Sequence, residues 1–267
     1  MKLIYLWALK IIIMAFRDLL FRGWYWYVNK ADKNAEVLFM NYGYHDENEH
    51  IELDPDDEPN RYSVQLYHRL AKTIDLTDKD ILEVGCGRGG GLAYINKTFK
   101  PKSALGIDLD ARAAKFGNLF YKSSRLRFEQ GNAQELNIED KSKDVVFNVE
   151  SSHRYPQMEK FLEEVYRVLR PGGYFLITDF RYPNEMEEYH SLIKKFQFTL
   201  FDEQIINPNV VAALECDTPR REDLVKRLSP KFLHKTALNF AGTVGSPTFD
   251  QIKNGDYTYF VYCYQKK

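Results

Sequence analysis

The chain has 267 residues, a formal net charge of −1, and 44% hydrophobic and 28% charged residues. That balance belongs to an ordinary globular protein, either one large domain or a core with appendages. A near-neutral total gives no global attraction to phosphate backbones and argues against a nucleic-acid substrate. Three widely spaced cysteines, Cys86, Cys216 and Cys263, make no disulfide framework, and no Cys/His cluster suggests a metal, so a reducing cytoplasm is the expected setting.

The N-terminus carries two apolar runs, LIYLWAL and IIIMAF, interrupted by Lys10 and Arg17. No small-x-small cleavage site follows, and the runs are too short to cross a bilayer, so neither a signal peptide nor a span is expected. The acidic stretch 54–60 reads as a solvated loop whose last polar residue caps a helix reaching about residue 74.

From about residue 79 the pattern alternates between strand and helix, as in a parallel sheet with helices on both faces. Strands are expected at 80–84, 104–107, 126–128, 145–149 and 174–178, and helices at 90–99, 111–121 and 158–169. In the last of these helices Phe161, Leu162, Val165, Val168 and Leu169 build one apolar face, and Pro171-Gly172-Gly173 stops it. Residues 184–230 read as helix-rich, and late strands are expected at 238–244 and 257–264.

The strongest motif is Glu83-Val84-Gly85-Cys86-Gly87-Arg88-Gly89-Gly90-Gly91, directly after the first strand and opening a helix. Glycines there let the backbone approach a ligand closely and aim free N–H groups at it. The loop alone is weak evidence, because dinucleotide folds use similar ones, but the G-x-G-x-x-G spacing is absent. The second strand ends in Asp108, a carboxylate suited to two ribose hydroxyls, and Gly131-Asn132-Ala133 follows the third.

These features resemble the class I S-adenosylmethionine-dependent methyltransferases. More closely, the chain is similar to the phthiotriol/phenolphthiotriol dimycocerosate methyltransferases and related small-molecule O-methyltransferases. The segments that carry the likeness are DEPNR (57–61), LYHR (66–69), ILEVGCGRGGG (81–91), GIDLD (106–110), NVESSHRYP (148–156), RVLRPGGYF (167–175) and NFAG (239–242). The resemblance implies a doubly wound, mostly parallel seven-stranded α/β sheet, Rossmann-like, with an N-terminal helical cap and a helical lid insertion. Its expected parts are a cap and lid over 1–78, a cofactor-binding core over 79–183, a helical lid and acceptor region over 184–234, and C-terminal strands over 235–267.

It also implies S-adenosyl-L-methionine as cofactor, held by Glu83, Gly85, Gly87, Asp108, Leu109, Asn132, Ala133 and Asn148. Tyr42, in the aromatic run 40–44, would lie over it. For a hydroxyl acceptor a general base helps, and histidine is the usual choice. Of six histidines, His153 follows the fourth strand at the carboxyl edge of the sheet, so it is assigned the base; a histidine that only bonds its loop is the bland alternative. Glu150, on the same loop, would orient His153, bind the acceptor hydroxyl or bond backbone. His68 and Cys86 read as structural.

An adenine or glutamine methyltransferase would carry Asn/Asp-Pro-Pro-Tyr where this chain reads Asn148-Val149-Glu150-Ser151. The expected activity is therefore O-methylation of a hydrophobic small molecule. A C-methyltransferase and a non-catalytic cofactor-binding protein remain alternatives. The apolar face of the N-terminal helix needs a cover, from its own domain, a second subunit of a homodimer, or a membrane surface touched peripherally. We expect it to wall the acceptor pocket.

Overall fold

The computed structural model describes residue 32 and residues 34–267, so the expected N-terminal helix and its cover lie outside the described residues. Seven strands form one sheet: β1 (Asp80–Val84), β2 (Ser103–Asp108), β3 (Leu126–Gln130), β4 (Lys143–Val149), β5 (Leu169–Arg181), β6 (Phe198–Ile205) and β7 (Thr258–Lys266). Their order is β3-β2-β1-β4-β5-β7-β6. The first five are parallel, with Leu82 opposite Val146 and Val146 opposite Phe175. β7 runs antiparallel between β5 and β6.

Side chains along a strand alternate between faces, and the two cores follow that alternation. Ile81, Val145, Phe147, Leu176, Val261 and Cys263 point to one core. Leu82, Val146, Phe175, Ile177, Phe260 and Tyr262 point to the other. The first face is covered by α1 (Arg61–Ala71), α2 (Gly90–Thr98), α6 (Asn207–Leu228) and α8 (Pro247–Lys253); the second by α4 (Met158–Val168) and α5 (Pro183–Ile193). α3 (Ala111–Phe120) packs along β2 and β3, and α7 (His234–Phe240) precedes α8. The order reverses between β1 and β4, so the loops leaving their carboxyl ends diverge and open a crevice.

Four expectations need correction. Residues 238–244 are not a strand: α7 ends among them at Phe240, and Gly242 at φ 64° turns the chain out of the helix in the left-handed conformation that glycine supplies. Within 184–230 the sequence hides β6, a sheet edge whose Asp202, Glu203 and Gln204 blunt its outer side and disguise its apolar period. α4 ends at Val168, and Pro171-Gly172-Gly173 lies instead within β5, where the register jumps from Lys143 opposite Leu169 to Val145 opposite Tyr174. Asn60 precedes α1 without capping it through its side chain; in the acidic loop Asp54 and Asp57 pair with Lys97.

Phe161 is fully buried between the Tyr155 and Phe175 rings, 4.8 and 6.0 Å away between centroids. Phe161→Ala should cost about 3–5 kcal/mol. Urea unfolding should show a lower midpoint with an unchanged slope; an unmoved midpoint would mean that the face of α4 does not anchor this half of the core.

Candidate active site

The crevice is a cavity of about 640 Å³. Its floor is the loop after β1, where Gly85, Gly87 and Gly89 have φ of 77°, 54° and 85°. Side chains have no room here. A Cβ on Gly85 would stand 2.3 Å from the Ser151 Oγ, and one on Gly91 would stand 1.9 Å from the Tyr67 ring. Beside the loop, the Asp108 carboxylate accepts the Gly87 N–H on one oxygen and the Asp110 N–H on the other, both at 2.9 Å. Burial raises its pKa, against the pull of those two amides. Each oxygen keeps one acceptor direction free.

A strap, residues 34–45, crosses the mouth. Its start is fixed by Asp32, whose carboxylate pairs with Arg88 of the glycine loop at 2.6 Å and accepts the Glu36 and Val37 N–H groups. The Arg88 guanidinium lies 3.9 Å over the Phe116 ring, and both partners of the pair are buried. Further along, Arg221 of α6 donates to the Asn41 and Tyr42 carbonyls at 3.1 Å while its Nε binds Asp217. The Tyr42 N–H donates to Glu150 at 2.8 Å.

His153 lines the cavity from a short turn after β4. Its Nδ1 lies 2.7 Å from Asp179 Oδ1, its backbone N–H donates to Asp179 Oδ2, and Ser152 and Arg181 close around the same carboxylate. Burial would raise the Asp179 pKa, but Arg181 and His153 outweigh it and hold the group well below the usual carboxylate range. An ionised carboxylate only accepts, so Nδ1 carries the hydrogen and Nε2 keeps the lone pair. That Nε2 is buried and has no hydrogen-bond partner among the described residues. Burial lowers the His153 pKa despite Asp179, leaving a neutral imidazole at neutral pH.

Of the residues singled out in the sequence, Tyr42, Gly85, Gly87, Asp108, Leu109, Asn132, Ala133, Glu150 and His153 line the cavity. Leu109 is an exposed rim residue. Glu83 and Asn148 do not line it; they stand fully buried behind the wall, Glu83 accepting from the Tyr67 hydroxyl at 2.7 Å and Asn148 donating to the Val84 carbonyl. Glu150 does not orient His153, because Asp179 already does. No residue of 184–234 lines the cavity: that segment instead supplies Arg221 behind the strap, and the C-terminal wall residue is Phe240. His68 hydrogen-bonds Tyr94 outside the cavity.

Asp179 was legible only as a carboxylate one residue past the expected end of the fifth strand. Tyr67 lay in the quoted LYHR segment without a role, and nothing in the sequence paired Asp32 with Arg88.

A model of a methyltransferase domain matches residues 82–177. The phthiotriol/phenolphthiotriol dimycocerosates methyltransferase of Mycobacterium tuberculosis (strain ATCC 25618 / H37Rv) is 37% identical over 246 residues, covering 92% of this chain and 91% of that protein. The fatty-acid O-methyltransferase of Mycolicibacterium smegmatis (strain ATCC 700084 / mc(2)155) is 38% identical over 243 residues, covering 91% and 88%. Among solved structures, geranyl diphosphate C-methyltransferase from Streptomyces coelicolor A3(2), in complex with S-adenosyl-L-homocysteine, superposes with a TM-score of 0.66 at 16% identity over 90% of this chain and 95% of that one. The [4+2]-cyclase SpnF superposes at 0.66 and 17% identity, over 91% and 94%, so likeness of fold alone does not fix the reaction. No described helix is long and apolar enough to cross a membrane.

Burial pushes Glu150 up to about 8 and Glu83 up to about 7. A carboxyl whose folded pKa is raised stabilises the fold below its unfolded value and loses that contribution as pH rises through the folded one. The ligand-free protein should therefore weaken between about pH 5 and pH 8. Glu150→Gln should flatten the decline without abolishing it, since Glu83 acts in the same sense. Urea midpoints with the same pH slope in both proteins would show that Glu150 ionises freely.

Proposed function

The chain belongs to the class I S-adenosylmethionine-dependent methyltransferases, in the family of the phthiotriol/phenolphthiotriol dimycocerosates methyltransferases, and on that premise we propose that it methylates a hydroxyl of a hydrophobic small molecule. S-adenosyl-L-methionine supplies an electrophilic methyl group on its sulfonium. The residues present fit that cofactor: the Gly85–Gly91 backbone floors the cavity, and beside it the Asp108 carboxylate, with one backbone N–H on each oxygen, keeps acceptor directions free for two hydroxyls. Gly85 and Gly87 would hold the methionine portion, Asp108 the ribose, and Leu109, Asn132 and Ala133 the adenine side. Glu83 and Asn148 support the floor from behind, and Tyr42 is held over it by Glu150 and Arg221.

The observation that carries the acceptor reading is the His153–Asp179 pair. Asp179 fixes the tautomer of His153, so Nε2 takes the proton of the acceptor hydroxyl, and the carboxylate stabilises the imidazolium formed. Arg181 and Ser152 keep Asp179 from rotating away. Tyr42, Phe180, Phe240 and Met40 line the same cavity with mostly apolar surface, which suits a greasy acceptor. The names of the two curated relatives, one for phthiotriol lipids and one for fatty acids, support the same class.

A carboxylate acceptor would need no base. His153→Gln and Asp179→Asn should each lower kcat by about 10²–10⁴-fold with a hydroxyl acceptor, while the affinity for S-adenosylhomocysteine stays unchanged. The wild-type rate should fall only on acidification below the ordinary histidine pKa, about 6.5, as Nε2 gains a proton. Full turnover by His153→Gln would replace the hydroxyl with an acceptor already ionised.

Asp108→Ala removes the acceptor for two ribose hydroxyls and should weaken cofactor binding by about 1–3 kcal/mol. Calorimetry giving the wild-type affinity would take the ribose away from Asp108.

A further inference from the structure

Phe232 is 83% exposed, against 46% and 55% for Phe120 and Phe201, the other exposed phenylalanines among the described residues. It sits at the tip of a 3₁₀ turn, Lys231–Leu233, between α6 and α7. The turn is built rather than loose. Ser229 is buried and its hydroxyl donates to the Val225 carbonyl, the His234 Nε2 lies 3.0 Å from the Ser229 carbonyl, and the Leu233 N–H donates to Pro230. The fold thus holds the ring out in water.

The charge around the ring is one-sided. Residues 226–235 read Lys-Arg-Leu-Ser-Pro-Lys-Phe-Leu-His-Lys, four full cations and no carboxylate, in a chain whose total is −1. Lys226 and Arg227 are tied to Glu222, Asp223 and Glu36. Lys231 and Lys235, which flank the ring, are exposed and have no ion-pair partner among the described residues. An apolar tip between two free ammonium groups matches one chemistry, the interface of an anionic bilayer: the ring enters the acyl boundary while the lysines meet headgroup phosphates.

We propose that the 231–235 turn is a membrane-docking surface for anionic lipid. It leads directly into α7, whose last residue, Phe240, forms part of the cavity wall. Seven residues of helix rise about 10 Å, so a docked turn holds this wall of the cavity close to the bilayer. A lipid acceptor then enters from the membrane without crossing bulk water. The delivery role rests on the hydrophobic-acceptor reading; the docking does not.

The test is sedimentation of the full chain with vesicles of phosphatidylcholine alone or mixed with phosphatidylglycerol, for the wild type, Phe232→Asp and the double variant Lys231→Glu/Lys235→Glu. The wild type should bind the anionic vesicles and not the neutral ones, and each variant should lose about tenfold in affinity or more. S-adenosylhomocysteine affinity and turnover of a short, water-soluble alcohol should remain at wild-type levels, which reports an intact fold and catalytic site. Wild-type binding by both variants would assign docking to another surface and overturn the proposal. Absent binding by the wild type, or equal binding to neutral vesicles, would overturn it as well. A failure of the alcohol assay alone would count against the hydroxyl reading and leave the docking result standing.

Discussion

The space over the glycine loop decides how the rest of the molecule is arranged. Backbone must pass where side chains would collide: Tyr67 packs against Gly91, the Leu38 carbonyl against Gly90, and the Ser151 hydroxyl against Gly85. Three separate pieces of chain therefore converge on one turn, the strap before the core, α1, and the loop after β4. Such convergence costs ordering entropy, and each piece is held by a polar anchor. The deepest anchor is the Asp32–Arg88 pair. Either charge alone in that setting would be strongly unfavourable, so the pair specifies where the strap can lie more than it adds stability.

A second concentration of charge governs the far side of the cavity. Asp179 is fully buried at the end of β5, yet it stays ionised because Arg181, His153, Ser152 and a backbone N–H all address it. Glu150 has the opposite fate. One backbone N–H donates to it, the Tyr259 hydroxyl stands near it without a hydrogen bond of good geometry, and burial wins. Two carboxyls on neighbouring strand ends, Asp179 fully and Glu150 partly buried, thus take different protonation states. One keeps a histidine in its basic tautomer; the other, in a left-handed backbone at φ 44°, ties the loop after β4 to the strap. Strained positions of this kind persist where surrounding structure over-determines them.

How far this was legible in the sequence follows from the range of the interactions. The central strands, the glycine loop and the face of α4 are local patterns with periods of two and 3.6, and they appear in the chain almost as they do in the fold. His153 and Asp108 could be located because strand ends on a parallel sheet share one edge. What failed was of two kinds. β6 is an edge strand, so its polar residues break the alternation that a buried strand would display. Residues 238–244 have the composition of a strand, but Gly242 marked the end of a helix there. The pairs Asp32–Arg88, His153–Asp179 and Glu150–Tyr42 join positions far apart in the chain, and no spacing rule relates them.

The cavity also limits what the acceptor can be. About 640 Å³ must serve both the cofactor and the reacting end of the acceptor, within the range of an ordinary small-molecule site. A molecule with long hydrocarbon chains cannot be enclosed there, so only its hydroxyl end can enter and its tails must run out past the rim. The rim is apolar where the strap and α7 meet it, through Met40, Tyr42 and Phe240, and it is polar near Asp110, Arg112 and Gln134. Hydrocarbon leaving the site therefore favours the strap–α7 side, where apolar area is removed from water rather than polar groups stripped of it. The fold separates the two ligands by the same division. On the proposed reading, the polar loops after β2 and β3 would take the nucleoside, and the aromatic elements added outside the parallel core would take the acceptor's hydrocarbon.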